Sequence, residues 1–567
     1  MNKIGPTVNN SQDTGIKMWI RGIFFSLVNI LALSTAIIDI MPRLPHIIPQ
    51  PKFVVIEGDV YIVAVFALTE EGCTGIRTNS GYQYTDAVAF ALKKVNRQKG
   101  QFAELDVKIG AIIMDDCKDA ERGTQMVKEF LRGYIKINDP TGKPINSSLV
   151  VGVVGSSNSD KTIQLADYLK TEKTALVAPF ASSPKLSNRT RFPYFVRTIP
   201  SDDKQGPALA AMLIRVGWFN VHVIIEDGST YASDLEMQFR TEFLREGGCI
   251  STSHFLQIQS NSSNAEAIIL AIAGNTSKTD VVLVLGRLNV LRSILEAKKS
   301  HITDKKVKRL VFVGSETWGK SEHVVQGHED AAKGSISVSL YGENVAAFDA
   351  FMATLRYGCC PSNPFFNKYF EAMHKCQNTT CPTKGSVTEL EEYSQSTYVK
   401  HVINAVYALS IATMKRLTEK CGSRAMAVCP EFGTAFGEEI IQTMGNMSFK
   451  DVNGQNFEIR DWESVNGYDI FYWKADGTPR KIGELTSKGA SLENNAKCFP
   501  DGNFYDNDSM PESKCPNSEY YCKKCKHGTN LFSKCKGCKQ RKMEGYQKCV
   551  TCVIHGKCKY KCFNCMK

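Results

Sequence analysis

The sequence lacks the motifs that mark most hydrolases and nucleotide-binding enzymes. Its 567 residues contain no P-loop, no HExxH and no Ser/His/Asp or Cys/His set with supporting order. Apolar runs beyond residue 38 are also short: Val60–Leu68 and Val281–Leu285 are under half of the about 20 residues that a membrane-spanning helix needs. We therefore expect no enzyme activity, no cofactor or metal, and no membrane span after the N-terminal segment.

Surplus charge is scarce outside the C-terminal tail. The net charge is +11, and residues 496–567 hold 15 lysines and arginines against 6 acidic residues, a surplus of 9. The rest of the chain is close to neutral, which excludes nucleic-acid binding by the whole protein. The basic tail could bind acidic glycans or anionic headgroups, although a solvated lysine-rich surface is the commoner explanation.

The one long apolar run, Ile23–Ile38, follows three basic residues near the N-terminus. Ser34 and Ala36 have the spacing of a signal-peptidase site, so residues 1–36 are predicted to be a signal peptide; the alternative is an uncleaved signal anchor. Either segment directs the chain into the secretory pathway, to the extracellular face of the plasma membrane or outside the cell. Seven sequons are candidate glycosylation sites: Asn146, Asn188, Asn261, Asn275, Asn378, Asn446 and Asn507.

Short β-branched runs alternate with helical periodicity through most of the chain. The predicted strands are Val60–Leu68, Val107–Met114, Leu149–Val154, Ala175–Ala178, Val221–Glu226, Asp280–Leu285 and Leu310–Gly314. Continuous apolar strands alternating with helices indicate doubly wound α/β structure. Some 440 residues of it exceed one sheet, so two lobes with a ligand cleft at the strand carboxyl ends are expected.

The 20 cysteines divide into nine in the α/β body and eleven in residues 496–567. Four gaps in this tail are Cys-x2-Cys, which would indicate zinc in the cytosol but favours disulfides in the secretory pathway. The tail is too small and polar to fold without cross-links, so we predict a disulfide-rich domain there. Both counts are odd, so one disulfide between the body and the tail would leave an even number of cysteines to pair within each. Cys249 is the candidate for the body's end of that disulfide.

Several motifs in the same order resemble the extracellular region of class C G-protein-coupled receptors, most closely metabotropic glutamate receptors. Besides Cys73 with Cys117, they are Gly155–Ser157, Ala181–Ser187, Phe195–Asp202, Gly217-Trp218, Gly314–Trp318, Val402–Tyr407 and Gly467–Ile470. The resemblance implies a bilobed, periplasmic-binding-protein-like (Venus flytrap) clamshell that closes on an amino acid, works as a dimer, and signals through a cysteine-rich spacer to seven membrane helices.

The resemblance also predicts the domain boundaries. The clamshell would occupy residues 37–495, with lobe 1 at about 52–198 and 336–462 and lobe 2 at about 199–335 and 463–495. The cysteine-rich domain would occupy residues 496–567. The chain stops at Lys567, where the seven helices would begin, so a G protein is an expected partner only if that domain is missing from this chain.

The ligand grip can be carried over residue by residue. Ser157 and Ser182, with Ser156 in the same turn, match positions that hold the α-carboxylate of an amino acid. Ser157 would open a helix, where free backbone N–H groups favour an anion, although an ordinary helix cap is the alternative. Asp202, Tyr231 and Glu316 match the positions that receive the α-ammonium group. Their alternatives are a helix cap, core packing and a solvated loop, respectively.

Two departures from the family bear on the ligand. Glu316 stands where glutamate receptors have Asp. The calcium-sensing receptor resembles this chain in having Glu at this position. The two basic residues that clamp a glutamate side chain align with Tyr84 and Tyr398. A buried carboxylate without a cation is costly, so we expect an aromatic or aliphatic amino acid rather than glutamate.

Disulfides follow from the same resemblance: Cys73–Cys117, Cys376–Cys381 and Cys421–Cys429 within the body, and Cys249 to the spacer. Cys359 and Cys360 have no counterpart in the family. No cysteine lies between Lys118 and Gly155, where the family's intersubunit bridge falls, so any homodimer would rest on packing.

Three functions remain open from the sequence. The leading hypothesis is a receptor ligand-binding region that captures a small amino acid by lobe closure. A secreted or anchored binding protein, acting as a decoy or co-receptor, is the second. An interaction module with a degenerate pocket is the third.

Overall fold

The protein is described here by a computed structural model. The described residues are 53–492, except 79–80, 98–104, 260–261, 277–278, 343, 361–362, 383–384, 424, 434–436 and 487–488, followed by Ser513 and three short strands, Tyr520–Tyr521, Gln540–Met543 and Tyr546–Cys549. The predicted signal segment, Asn261, Asn507 and most of the cysteine-rich tail lie outside them.

The strands and helices of residues 53–492 alternate along most of the chain, as the sequence predicts. The strands are β1 Phe53–Ile56, β2 Val60–Phe66, β3 Ile109–Asp115, β4 Val150–Val154, β5 Leu176–Ala178, β6 Phe195–Arg197, β7 Asn220–Glu226, β8 Cys249–Leu256, β9 Ile258–Gln259, β10 Ser262–Ser263, β11 Val281–Leu285, β12 Val311–Gly314, β13 Ile336–Leu340, β14 Met447–Lys450, β15 Asn456–Arg460, β16 Glu463–Ser464, β17 Tyr468–Trp473, β18 Pro479–Thr486 and β19 Gly489–Leu492. The helices are α1 Tyr82–Val95, α2 Ala120–Leu131, α3 Ser159–Thr171, α4 Asp202–Val216, α5 Thr230–Arg245, α6 Ala265–Gly274, α7 Leu288–Ser300, α8 Lys305–Arg309, α9 Glu322–Val325, α10 Glu329–Ala332, α11 Ala346–Met352, α12 Phe366–His374, α13 Val399–Cys421 and α14 Gly437–Gly445. All seven predicted strands are present, with ends within two residues of the prediction.

Two parallel-rich sheets form the framework, which confirms the predicted α/β fold class. The first has the strand order β1-β3-β2-β4-β5-β6-β16-β15-β14, and its central strands β3 to β16 are parallel. The second has the order β19-β18-β17-β13-β12-β11-β7-β8, in which β13 to β8 are parallel. The antiparallel strands therefore lie toward the sheet edges.

Each sheet is buried on both faces, which explains why its strands read as continuous apolar runs. In β2, Ile62 and Phe66 face the core formed with α1 and α13, whereas Val63 and Val65 face the core formed with α2 and α3. This follows from the alternation of side chains along a strand. The second sheet is covered in the same way by α4 and α5 on one face and by α6 and α7 on the other.

The chain crosses between the sheets three times: after β6, after β13 and after β16. The sequence placed the last two crossings before Ile336 and before Glu463. The structure moves both toward the C-terminus, because Ile336–Leu340 pairs with β12 and β17 of the second sheet and Glu463–Ser464 pairs with β6 and β15 of the first. The outer domain limits at 36/37 and 495/496 fall outside the described residues and remain predictions.

Four disulfides join cysteines of the body. The pairs are Cys73–Cys117, Cys359–Cys360, Cys376–Cys381 and Cys421–Cys429. Cys359 and Cys360, which had no counterpart in the family pattern, are thus bonded to each other. Cys249 is also disulfide-bonded. A bridge from it to the tail remains a prediction.

One residue of the tail, Ser513, is described where it contacts the second lobe. Its hydroxyl donates to the carbonyl of Asn220 at 2.6 Å, and its carbonyl accepts from the N–H of Phe219 at 3.3 Å. It also bridges to Thr279. These residues lie at the amino-terminal ends of β7 and β11, so Ser513 is attached to that end of the second sheet.

Five of the seven predicted glycosylation sites are described, and all five are solvent-exposed: Asn146, Asn188, Asn275, Asn378 and Asn446. Exposure is compatible with glycosylation, which stays a prediction. Among the described residues, none of the helices combines the length and the apolar character that a membrane span requires.

Candidate functional site

The turn after β4 brings Ser156 and Ser157 to the carboxyl edge of the first sheet. It begins at Gly155, whose φ of 147° lies in a region that side chains rarely adopt and where an added Cβ would lie 2.6 Å from the Val65 carbonyl oxygen. The sequence predicted that Ser157 opens the next helix. The structure corrects this: Asn158 is the cap of α3, and its side chain accepts the N–H of Lys161 at 3.0 Å. The Ser157 hydroxyl is therefore available for another partner.

That partner is Asp116, which the sequence analysis missed. It follows β3, is fully buried, and accepts the Ser157 hydroxyl at 2.9 Å and the Ser156 hydroxyl at 3.5 Å. Lys161 of α3 neutralises its other oxygen, with Nζ 2.8 Å from Oδ1. Burial lowers the pKa of Lys161, and the neighbouring Asp116 opposes this shift. A buried ion pair therefore lies behind the predicted carboxylate-binding serines.

Asp202 is the first residue of α4 and is fully buried. The main chain holds it beside Ser182, because its N–H donates to the Ser182 carbonyl at 2.8 Å. Its Oδ1 accepts the Gln205 side-chain amide at 3.1 Å, whereas its Oδ2 has no hydrogen-bond partner in the part of the chain that the structure describes. The carboxylate does not cap the helix, so one buried oxygen remains for a ligand.

Glu316 lies beyond the end of β12 and is 3% exposed, so the solvated-loop alternative is wrong. Its carboxylate accepts the Tyr231 hydroxyl at 2.7 Å. Tyr231 reaches it from the first turn of α5, which begins at Thr230 because Ser229 caps the helix by accepting the Ala232 N–H. The structure thus brings the three predicted ammonium-binding residues to one place.

Gln205, which the sequence analysis also missed, connects the two buried acids. Its side-chain N–H₂ donates to Asp202, and its side-chain oxygen accepts the backbone N–H of Glu316 at 3.2 Å. Gln205 lies three residues after Asp202, so both side chains share one face of α4. That spacing was the available signal, but it does not reveal contact with Glu316, 111 residues away.

The electrostatics of this site are dominated by two buried carboxyl groups. Burial and the neighbouring Glu316 raise the pKa of Asp202 well above its ordinary value. Burial also raises the pKa of Glu316. The two acids raise the pKa of three surrounding phenols, Tyr231, Tyr398 and Tyr468, beyond the effect of burial itself. A cation placed here would stabilise the ionised carboxylates.

Tyr84 and Tyr398, predicted to line the side-chain end of the pocket, lie on either side of Phe180. The Phe180 ring centroid is 4.7 Å from that of Tyr84 and 5.3 Å from that of Tyr398. The Tyr84 hydroxyl is 3.0 Å from that of Ser396. These three rings form an aromatic wall, of which Phe180 was not predicted.

A cavity of about 570 Å³ opens beside the aromatic wall, and Tyr84, Tyr398 and Thr317 are among its lining residues. The first-sheet part of the chain supplies Tyr84, Tyr398 and residues 391–396, and the second-sheet part supplies Thr317, residues 320–323 and residues 476–479. The cavity therefore lies between the two lobes, where a cleft was predicted.

Contacts across the cleft hold the lobes together. The Ser183 hydroxyl of the first lobe donates to Asp234 of α5 at 2.5 Å, and Lys185 lies 3.1 Å from the same carboxylate. Asp234 is 5% exposed. The structure thus represents a conformation in which the two lobes touch beside the predicted binding residues.

The sheets, the three crossings and the interlobe cleft define a bilobed α/β ligand-binding protein of the clamshell type. A model of the receptor family ligand binding region matches residues 83–476, and the chain belongs to this family. The resemblance found in the motifs is confirmed.

Two curated relatives are metabotropic glutamate receptors. The chain is 26% identical over 441 residues to a protein of Caenorhabditis elegans described as a probable metabotropic glutamate receptor, covering 71% of this chain and 42% of that protein. It is 24% identical over 485 residues to the metabotropic glutamate receptor of Drosophila melanogaster, covering 74% of this chain and 49% of that receptor. The chain thus spans about half or less of the length of these relatives.

Proposed function

We propose that this chain is the extracellular ligand-binding region of a class C receptor-like protein and captures a small molecule with a protonated amino group, an amino acid or a related amine, between its lobes. The observation that carries the proposal is the buried pair Asp202 and Glu316, in which one oxygen of Asp202 has no hydrogen-bond partner among the described residues. An ammonium group would satisfy that oxygen and offset the repulsion between the two acids.

The surroundings support the same ligand class. Tyr231, Tyr398 and Tyr468 lie close enough for the acids to shift their pKa values, and an ammonium group over an aromatic face gains about 0.5–2 kcal/mol. No basic residue replaces the family's glutamate clamp at Tyr84 and Tyr398, so a second acidic group on the ligand would be desolvated without a partner there. Signalling would follow from closure of the lobes on the ligand.

A thermal-shift screen of the secreted, glycosylated chain against the twenty L-amino acids and simple amines tests this proposal. A ligand at 100 times its dissociation constant should add about 2.7 kcal/mol to the free energy of unfolding. We expect a selective rise in Tm with amino compounds and none with glutamate. A folded sample with a cooperative transition that responds to no amino compound would contradict the proposal and favour the interaction-module hypothesis.

We further expect Asp234→Asn to weaken ligand binding about tenfold, because the variant weakens a charge-assisted contact made across the cleft, typically worth about 1.5–3 kcal/mol. The expected tenfold change corresponds to the low end of this range because Lys185, one of the two partners of Asp234, is 54% exposed. Titration calorimetry measures the change. Asp227→Asn, a change at an exposed residue just before α5, is the control, and equal affinities of the Asp234→Asn variant and the wild type would show that these contacts do not act in closure.

A further inference from the structure

The serine hydroxyls at the predicted carboxylate end of the pocket are directed at acids of the protein itself. The Ser156 and Ser157 hydroxyls lie 3.5 and 2.9 Å from Asp116 Oδ2, and the side chain of Ser182 opposes the rise in the pKa of Asp202. Ser183 donates to Asp234. A ligand carboxylate that used these hydroxyls would have to take them from charged acceptors, which form stronger hydrogen bonds than neutral ones.

Asp116 also places a negative charge directly behind this end of the pocket. Its Oδ2 is 2.9 Å from the Ser157 hydroxyl oxygen, so an anion bound to that hydroxyl would lie within a few ångströms of it. Asp116 is fully buried and Ser157 is half-buried, so like charges placed here repel more strongly than in water. Lys161 compensates Asp116 from the opposite carboxylate oxygen, at 2.8 Å. It is therefore already paired and does not offer its charge to a ligand.

The charge balance of the site favours a cation. Asp116 and Lys161 cancel, which leaves Asp202 and Glu316 with a charge of −2 when both are ionised. Arg197, which influences Asp202, lies 2.6 Å from Glu463, and Arg77, which influences Lys161 and Tyr84, lies 3.4 Å from Glu70. A zwitterionic amino acid adds no net charge to this site, whereas an amine without a carboxylate adds +1.

We propose that Asp116 makes this site selective for organic amines without a carboxylate, with an aromatic or aliphatic body, over the corresponding amino acids. This inference rests on the proposed function, since it concerns the same pocket. The ammonium group would lie between Asp202 and Glu316, and the body of the amine would extend along the wall of Tyr84, Phe180 and Tyr398 into the cavity of about 570 Å³.

Matched pairs of ligands test the proposal: tryptamine with L-tryptophan, tyramine with L-tyrosine, and cadaverine with L-lysine. Their dissociation constants would be measured by titration calorimetry on the secreted chain. We expect at least one amine to bind at least tenfold more tightly than its amino acid. Equal affinities within every pair, or tighter binding of the amino acids, would overturn the inference and leave the proposed function intact. No binding by any compound to folded protein would overturn both.

Variants of Asp116 test the cause of the preference. Asp116→Ser releases the two serine hydroxyls and the charge of Lys161, so we expect the amine preference to fall at least tenfold. The double variant Asp116→Asn with Lys161→Met removes both charges and leaves no buried lysine without a partner. If the single variant does not fold, as judged by the lack of a cooperative unfolding transition, the double variant is used for the test instead. Asp203→Asn, at an exposed residue of α4, is the control. An unchanged preference in a folded Asp116 variant would overturn the role of Asp116.

Discussion

Replacing Asp202 by Asn should raise the dissociation constant for an amine ligand by a hundredfold or more. The carboxylate is fully buried, and its Oδ2, which has no hydrogen-bond partner in the described part of the chain, is the strongest candidate to accept an ammonium group. Removing one partner of a buried ion pair costs about 3–5 kcal/mol. Asn has nearly the same shape, and its side-chain oxygen can still accept from Gln205.

The same substitution should stabilise the protein without ligand. Burial and the nearby Glu316 disfavour the ionised form of Asp202 and so raise its pKa, and a neutral amide avoids that cost. At neutral pH we therefore expect a higher Tm in the absence of ligand together with the loss of the ligand-induced shift. Thermal melts and calorimetry measure both effects.

Asp203→Asn provides a matched control, because Asp203 is the next residue of α4 but is exposed. It should change neither the affinity nor the Tm appreciably. If Asp202→Asn bound the ligand as tightly as the wild type, the ammonium group could not lie at Asp202.

The second large effect is a coupling between ligand binding and proton release. Raised pKa values mean that the ligand-free protein retains carboxyl protons at pH values where free Asp and Glu are ionised. An ammonium ligand requires the ionised form, so its binding expels a proton. The affinity should fall by up to about tenfold for each pH unit below the raised pKa, if one proton is released.

The stability of the ligand-free protein changes with pH in the direction opposite to the ligand affinity. An acid with a raised pKa in the folded state costs stability as the pH rises from its ordinary value through the raised value. The charged groups that influence Asp202 are Glu316, Arg197 and Asp234, and the phenols around it remain neutral because their pKa values are raised. Ligand-free protein should therefore become less stable over the pH range in which ligand binding becomes stronger.

Calorimetry in two buffers of different ionisation enthalpy measures the protons released. We expect the wild type to release about one proton per ligand below the raised pKa and about half a proton at it, and Asp202→Asn to release fewer. A binding enthalpy that does not depend on the buffer, with an affinity that is constant between mildly acidic and neutral pH, would contradict the coupling.

The strands could be predicted because apolar runs buried on both faces have a strong local signature, and the predicted ligand residues could be aligned because short motifs surround them. The environment of those residues could not be predicted. Whether Ser157 or Asn158 caps α3 depends on which polar side chain has a competing partner, and that partner, Asp116, is about 40 residues away in the sequence. The burial of Glu316 likewise requires Gln205 of α4 and Tyr231 of α5 to approach it.

The crossing points illustrate a second limit. Ile336–Leu340 and Glu463–Ser464 are short strands whose neighbours are set by long-range pairing, so composition does not reveal which sheet they join. Asp116 was also missed because the sequence around it, after a strand and beside a cysteine, suggests only a polar turn. Its meaning depends on Lys161, which lies on a helix that packs against the same sheet.

The contact of Ser513 with the second lobe couples movement at the cleft to movement at the opposite end of the second sheet. Ser513 contacts Asn220 at the first residue of β7, and Cys249, which is disulfide-bonded, lies beside Asn220 on the neighbouring strand. The opposite ends of the parallel strands face the cleft, and the 7 residues of β7 set the two ends about 20 Å apart. Because the sheet between them is packed on both faces, a rotation that draws Glu316 toward the first lobe also displaces Ser513. If two copies of the chain associated, the distance between their Ser513 residues would then report on what occupies the cleft.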